Sequence, residues 1–182
     1  MTGHVTESEG LVDELVELDI GPIAHGGHCV ARLRGQVVFV RHTLPGERVR
    51  AVVTEGERGR SFLRADAVEV LEASPHRVRP PCPYAGVCGG CDFQHVALAE
   101  QRRLKAAVVA EQFRRLARID LAAEGRAPVV EPVRGDANGL GWRTRVEFAV
   151  DDAGRAGLRR HRSHEVVAVD RCRIASPGVT DH

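Results

Sequence analysis

The chain has 182 residues, of which 43% are hydrophobic, 28% charged and only 4% aromatic. This composition is that of an ordinary globular protein, and no apolar run approaches the ~20 residues of a membrane-spanning helix. The acidic N-terminus also lacks the basic start and apolar stretch of a secretory signal. We therefore expect a cytoplasmic protein with no membrane partner. In that compartment thiols stay reduced, and clustered cysteines serve as ligands or catalysts rather than as disulfides.

The formal net charge is +1, but the charge is unevenly distributed. Residues 1–75 carry a net charge of −4, whereas residues 76–182 carry a net charge of +5. A polyanion would therefore dock on the second part of the chain.

The first part of the chain predicts a small β-barrel. Residues 1–10 are polar and predict a disordered lead-in. Arg34-Gly35 is a hairpin signal, and Pro45-Gly46 marks a turn. Five short segments alternate or are rich in β-branched residues, and these predicted strands are 11–20, 28–33, 36–41, 48–56 and 61–72. Strands with turns every ~8–12 residues predict a closed or nearly closed five-stranded barrel over 11–73. It is either a packing module or an OB-like nucleic-acid binder, and the pattern does not separate the two.

The second part, residues 74–182, mixes one helix with a small β region. A proline-punctuated linker at 74–81 leads into a cysteine-rich segment. Residues 97–118 contain no Gly or Pro and predict a helix. Its predicted apolar face comprises Leu98, Val109, Phe113 and Leu116, and its arginines, Arg102, Arg103, Arg114 and Arg115, are expected to face solvent. After a loop-rich connector, strands are predicted over 142–151 and within 156–172. The predicted fold class is therefore a β-rich α+β fold.

Three of the five cysteines lie within ten residues. Cys82, Cys88 and Cys91 form this cluster, and Cys172 stands far along the chain at the end of a β segment. Gly89 and Gly90 separate Cys88 from Cys91 and are expected to allow a positive-φ turn that aims the thiolates the same way. Three local cysteines and a distant one suit an iron–sulfur cluster. A zinc ion, a CxxC redox pair and unconnected buried thiols remain alternatives.

Three stretches resemble known protein families. The segment "VELDIGPIAHGGHCVARLRGQVVFVRHTLPGERVRAVV" resembles the TRAM domain, a small OB-like RNA-binding barrel. The segments "CPYAGVCGGCDFQHV" and "GWRTRVEFAV…GLRRHRSHEVVAVDRCRIASP" resemble the cluster-binding and central β regions of the RNA uracil-5 methyltransferases. The resemblance implies that Cys82, Cys88, Cys91 and Cys172 ligate a 4Fe–4S cluster. It also implies an RNA partner, either rRNA or tRNA, whereas Cys29 in the barrel is expected to be a buried hydrophobe.

One part of that family pattern is missing. The family has a C-terminal Rossmann-like domain that binds S-adenosylmethionine and carries a catalytic cysteine, but no strand–GxGxxG–helix unit occurs here. We expect the RNA-binding, cluster-bearing N-terminal portion of such a methyltransferase, monomeric, with S-adenosylmethionine bound only by the full-length family protein. The alternative is a stand-alone TRAM and iron–sulfur protein that binds RNA without catalysis. An electron-transfer protein is a weaker third hypothesis.

The candidate RNA contacts are basic side chains and side chains that can stack on bases. Arg143 and Arg145 alternate on one predicted strand face, and Phe93 and His95 sit beside the cluster loop, where they could stack on bases. A basic run near the end adds Arg159, Arg160 and Arg162. A solvated strand face and a packing role for Phe93 are the competing interpretations.

Overall fold

The computed structural model describes residues 10–59, 61–134 and 138–179. The chain divides into two compact units, residues 1–75 and 76–182. The predicted disordered lead-in, residues 1–10, lies outside the described residues apart from Gly10.

The first unit is a curled five-stranded sheet, a half-barrel. Its strands are β1 (Leu15–Asp19), β2 (Cys29–Leu33), β3 (Gln36–Arg41), β4 (Arg48–Glu55) and β5 (Phe62–Glu72). Their order in the sheet is β1-β4-β5-β3-β2, and every pairing is antiparallel except the parallel pair β3–β5. The sheet curls until its edges approach, because Gly21 donates its N–H to the Val30 carbonyl (2.8 Å) and Val30 donates to the Pro22 carbonyl (2.9 Å). This architecture is consistent with an OB-like fold.

Alternating apolar residues build the core of this unit. Val16 and Leu18 of β1, and Val49, Ala51 and Val53 of β4, all point inward and are buried. The predicted hairpin between β2 and β3 is confirmed, since Arg34 (φ 49°) and Gly35 (φ 87°) both have the positive φ of a type I′ turn. The first predicted strand is shorter than expected because residues 11–14 form a turn in which Asp13 has φ 70°. Cys29 is fully buried, as predicted for a small hydrophobe.

A buried carboxylate closes the Pro45-Gly46 turn. Glu47 is 1% exposed, and its side chain accepts N–H bonds from Leu44 (2.8 Å) and Ser74 (3.1 Å). Ser74 follows the last strand, so this one side chain joins the turn to the end of the unit.

The second unit combines a helix with a small antiparallel sheet. Helix α1 spans Leu98–Gln112 and continues as a π-helical turn over Phe113–Ala117, which ends where Arg118 takes φ 61°. The strands are β6 (Ala149–Val150), β7 (Ala156–Arg159) and β8 (Val166–Ala168), in the order β6-β7-β8. In the described part of the chain, no helix has the length and hydropathy needed to span a membrane.

The helix buries a different face from the one predicted. Leu104 and Glu100 are its buried residues, whereas Val109, Phe113 and Leu116 are 40%, 41% and 79% exposed. Glu100 tolerates burial because Arg103 donates to both of its carboxylate oxygens. Of the apolar residues chosen from sequence, Leu98 is half-buried, whereas Val109, Phe113 and Leu116 lie more than a turn beyond Leu104.

The predicted strand over 142–151 is mostly wrong. Only Ala149–Val150 joins the sheet, and Arg143 forms an isolated parallel bridge with Ala175. The residues between them lie in no β-ladder of the described chain. A strand needs a partner, and the alternation of residue types in 142–151 carries no information on which segment lies beside it.

Candidate metal centre

All four cysteines named from the spacing line one small cavity in the second unit. Its remaining walls come from the loop that carries the first three cysteines, from β7 and from the segment around Cys172; they are Tyr84, Ala85, Gln94, Leu158, Val169, Arg171 and Arg173. Cys172 is buried in a cluster with Ile174 and Ala175, and Cys91 packs against that cluster. Residues far apart in sequence therefore bring their thiols to a common space.

Hydrogen bonds fix the conformation of the cysteine loop around its first turn. Tyr84 accepts the Cys88 N–H at its carbonyl (2.9 Å), and Cys82 donates its N–H to the Gln94 side chain (3.2 Å). The Tyr84 hydroxyl donates to the Asp170 carboxylate (2.8 Å) and accepts the Asp170 N–H (3.3 Å). Asp170 lies two residues before Cys172, so this contact holds the loop beside its distant partner.

The glycines between Cys88 and Cys91 have a different role from the one expected. Neither Gly89 nor Gly90 has a positive φ. Instead, Gly89 lies against β7 and donates its N–H to the Arg159 carbonyl (3.0 Å). A Cβ on Gly89 would lie 2.6 Å from that oxygen, so this position requires glycine because two backbones approach closely.

The thiols share one electrostatic environment. Burial raises the pKa of the Cys88 thiol, an N–H bond from Gly90 opposes the rise, and the nearby Cys82 and Cys172 thiols add to it. Burial likewise raises the pKa of Cys91; a hydrogen bond with Gln94 opposes this, and the other three thiols add to it. Each thiol therefore influences its neighbours, and a cation or cluster would have to displace protons on binding.

The described residues contain no group of three or more His, Cys, Asp or Glu side chains arranged to hold a metal ion. The four cysteines nevertheless line a common cavity. Two cations, Arg171 and Arg173, flank Cys172 and also line the cavity, so positive charge is available to balance thiolates.

Residues 11–68 match the TRAM domain model. The chain is also 58% identical, over 97% of its length, to a protein of Streptomyces coelicolor named "Uncharacterized RNA methyltransferase SCO5901". Residues 11–68 thus resemble a TRAM domain, and the chain is similar over nearly its whole length to proteins named RNA methyltransferases. The resemblance noted in the sequence is confirmed, although the chain spans only 40% of that relative.

The name of a second relative includes a substrate. The chain is 40% identical, over 90% of its length, to a Halomonas elongata protein named 23S rRNA (uracil(1939)-C(5))-methyltransferase RlmD, of which it covers 33%. Among solved structures, the tRNA (uracil-54, C5)-methyltransferase of Pyrococcus abyssi, in complex with S-adenosyl-L-homocysteine, has a similar fold. Its TM-score is 0.50 at 21% identity, with 90% of this chain and 34% of that chain covered.

The predicted RNA contacts of this TRAM-containing chain lie in three different settings. Arg145, Arg159 and Arg162 are exposed, and Arg160 forms an ion pair with Glu165 (2.9 Å). His95 is only 6% exposed, with its ring edge-on to Phe93, so a base would have to displace neighbours to reach it. Phe93 is half-buried and, together with Arg143, lines a cleft next to the cysteine loop.

Sequence reasoning missed most of that cleft. It did not single out Trp142 and Lys105, and it assigned Arg102 to solvent, yet all three line the cleft. The available signal was the segment "GWRTR", in which the sole tryptophan of the chain stands directly before an arginine.

Proposed function

We propose that this chain is the RNA-binding, 4Fe–4S-bearing portion of an S-adenosylmethionine-dependent RNA uracil-C5 methyltransferase that acts on rRNA. The observation that carries the proposal is the identity over nearly the whole chain with a protein named RNA methyltransferase, at 58%, and with one named 23S rRNA (uracil(1939)-C(5))-methyltransferase, at 40%. The TRAM match over 11–68 supports RNA as the partner. Methyl transfer is proposed for the whole enzyme, because the sequence of this chain contains no glycine-rich S-adenosylmethionine loop.

The four cysteines of the cavity are proposed to hold a four-iron cluster, with a structural zinc ion as the alternative. A structural zinc ion needs four donors that each lie about 2.3 Å from one point. A four-iron cluster instead takes one thiolate at each iron and spreads the sulfurs around a larger centre. Cys82, Cys88, Cys91 and Cys172 line one cavity, so the chain offers one thiolate for each iron of such a cluster. The N–H of Gly90 lies 3.4 Å from the Cys88 sulfur and would support a thiolate there.

When bound, the cluster would cross-link the cysteine loop to the segment that carries Cys172. This chain's own residues already prepare that link, through the Tyr84–Asp170 pair and the Gly89–Arg159 hydrogen bond. We assign the cluster a role in holding this RNA-binding surface in shape.

RNA binding by the chain itself tests the proposal. The chain, purified without oxygen, is titrated with a labelled 23S rRNA fragment that contains the uracil named in the relative. We expect roughly micromolar affinity and a salt slope of roughly −2 to −3, which corresponds to three or four phosphate contacts at ~0.7 each. The same preparation should transfer no methyl group from labelled S-adenosylmethionine. No RNA binding even at low salt would overturn the proposed function, and methylation by these residues alone would overturn the assignment of chemistry to the rest of the enzyme.

A further inference from the structure

A cleft of about 720 Å³ opens beside the cysteine loop in the second unit. Its walls are the loop from Gly90 to Gln94, one side of α1 at its N-terminal end, residues 133–134 of the connector, and residues 139–143. The volume falls in the range of small-molecule sites, ~300–1,000 Å³, so it suits one or two nucleotides rather than a folded domain or a duplex.

The cleft is strongly basic. Among the residues that the structure describes, four cations line it, Arg102, Lys105, Arg134 and Arg143, against the single carboxylate of Asp92. In the described part of the chain, the side chains of Lys105, Arg134 and Arg143 have no ion-pair partner. Some other arginines of the same unit are paired locally, as Arg103 is by Glu100 and Arg160 by Glu165. The cleft thus brings three cations without an ion pair to one concave surface.

The cleft also presents an aromatic surface on a fixed backbone. Trp142 is 59% exposed, although a tryptophan gains a large free energy from burial. Backbone hydrogen bonds fix the residues on either side of Trp142. The Gly141 N–H donates to the Arg173 carbonyl (3.1 Å), and the Arg143 N–H donates to the Ile174 carbonyl (2.8 Å). The exposure of Trp142 is therefore built into the fold.

We propose that this cleft binds an unpaired nucleotide of RNA, with its base stacked on Trp142 and its flanking phosphates on Lys105 and Arg143. The inference rests on the proposed function and adds to it where the single-stranded part of the RNA is held. Exposed aromatic rings combined with cations are the usual way to hold single strands, because every base has a face that can stack. A paired base has no free face, so a duplex could use only the charges.

The chain contains its own probe, because Trp142 is its only tryptophan. Titration with a single-stranded RNA of about 10 nucleotides should quench Trp142 emission, whereas a duplex of that strand should not. Trp142→Ala, followed by anisotropy of labelled RNA, should weaken binding of the single strand by about 5- to 150-fold, with Trp142→Phe retaining most of the affinity. Because Trp142 is exposed, neither substitution should disturb folding.

The role of the cations is tested by replacing two of them and comparing the effect with that of a control cation, Arg115, on the extension of the same helix as Lys105. Lys105→Gln and Arg143→Gln should each reduce the magnitude of the salt slope by ~0.7, the contribution of one phosphate contact. Arg115→Gln is the control, since Arg115 is exposed but does not line the cleft. An equal effect of Arg115→Gln and Lys105→Gln would reduce the role of the cleft to general electrostatic attraction and overturn the proposal.

The outcomes separate this inference from the proposed function. RNA that binds without quenching Trp142, and with the same affinity to Trp142→Ala, would overturn the nucleotide site and leave RNA binding intact. Equal quenching by single strand and duplex would overturn the assignment to an unpaired base. Absence of any RNA binding would overturn the proposed function and this inference with it.

Discussion

Replacement of Gly89 by alanine should loosen the cysteine loop, whereas the same change at Gly90 should not. A Cβ on Gly89 would lie 2.6 Å from the Arg159 oxygen, 2.7 Å from the His161 nitrogen and 2.9 Å from the Arg160 carbonyl carbon, all backbone atoms. A Cβ on Gly90 would meet only the ends of side chains, Leu158 Cδ1 at 3.0 Å and Cys88 Sγ at 3.4 Å. The two substitutions therefore differ in one respect, whether the neighbouring atoms can give way.

The size of the effect follows from what Gly89→Ala must displace. The loop would move off β7 and weaken the Gly89–Arg159 hydrogen bond, worth about 1 kcal/mol. Crowding of packed atoms costs a further ~1–3 kcal/mol. Alanine also restricts the unfolded chain, which stabilises the folded state by ~0.4–1 kcal/mol where the native backbone suits alanine. Both glycines meet this condition, because neither has a positive φ. The net loss for Gly89→Ala is roughly 1–3 kcal/mol, and Gly90→Ala should lie near zero.

Urea unfolding followed by Trp142 emission measures this difference, because Trp142 belongs to the same unit as the loop. Iron content per chain is measured in parallel and should fall for Gly89→Ala, since the shift moves Cys88 away from Cys172. Equal unfolding free energies for the two variants would refute the close-approach explanation of Gly89.

The remaining predictions concern two buried carboxylates. Glu47→Ala leaves two backbone N–H groups without their acceptor and should destabilise the first unit by roughly 2–4 kcal/mol in thermal unfolding; Glu72→Ala, which removes an exposed ion pair, should cost less than about 1 kcal/mol, and equal losses would contradict this account. A hydrogen bond from Arg103 lowers the pKa of Glu100 below its ordinary value of 4.5. The ionised carboxylate therefore stabilises the fold fully when the pH is above 4.5, and this stabilisation is lost as the pH falls through the lower pKa of the folded state. Glu100→Gln should therefore be less stable at neutral pH and lose less stability on acidification, and parallel pH profiles of the urea midpoint would show that Glu100 contributes nothing.

Local sequence signals were sufficient for most of the first unit, although they predicted a longer first strand and a closed or nearly closed barrel where the sheet is a half-barrel. Alternation along β1 and β4 identifies the inward residues, and the Arg34-Gly35 pair fixes the hairpin, because both features depend on neighbours in sequence. The helix over 98–112 also follows from propensity. Its buried face did not, because Glu100 is buried through its pairing with Arg103, which hydrophobicity does not report.

The candidate sites divide in the same way. The spacing of the cysteines named the four side chains that line one cavity, and the structure adds the tyrosine and glycine contacts that hold the loop there. The cleft around Trp142 could not be predicted, because its walls come from segments that are far apart in the sequence. The role of Gly89 was also misjudged, since a close approach to β7 is a tertiary contact that the local "CGGC" pattern does not encode.

The most direct test of the central claim is the metal content of the chain purified without oxygen, for the natural sequence and for Cys172→Ser and Cys29→Ser. The account predicts about four irons per chain, with broad absorption near ~400 nm, for the natural chain and for Cys29→Ser. It predicts that Cys172→Ser loses the cluster, because its thiol lines the cavity, whereas Cys29 lies in the core of the other unit. Stoichiometric zinc without iron, or full iron content in Cys172→Ser, would contradict the four-cysteine cluster.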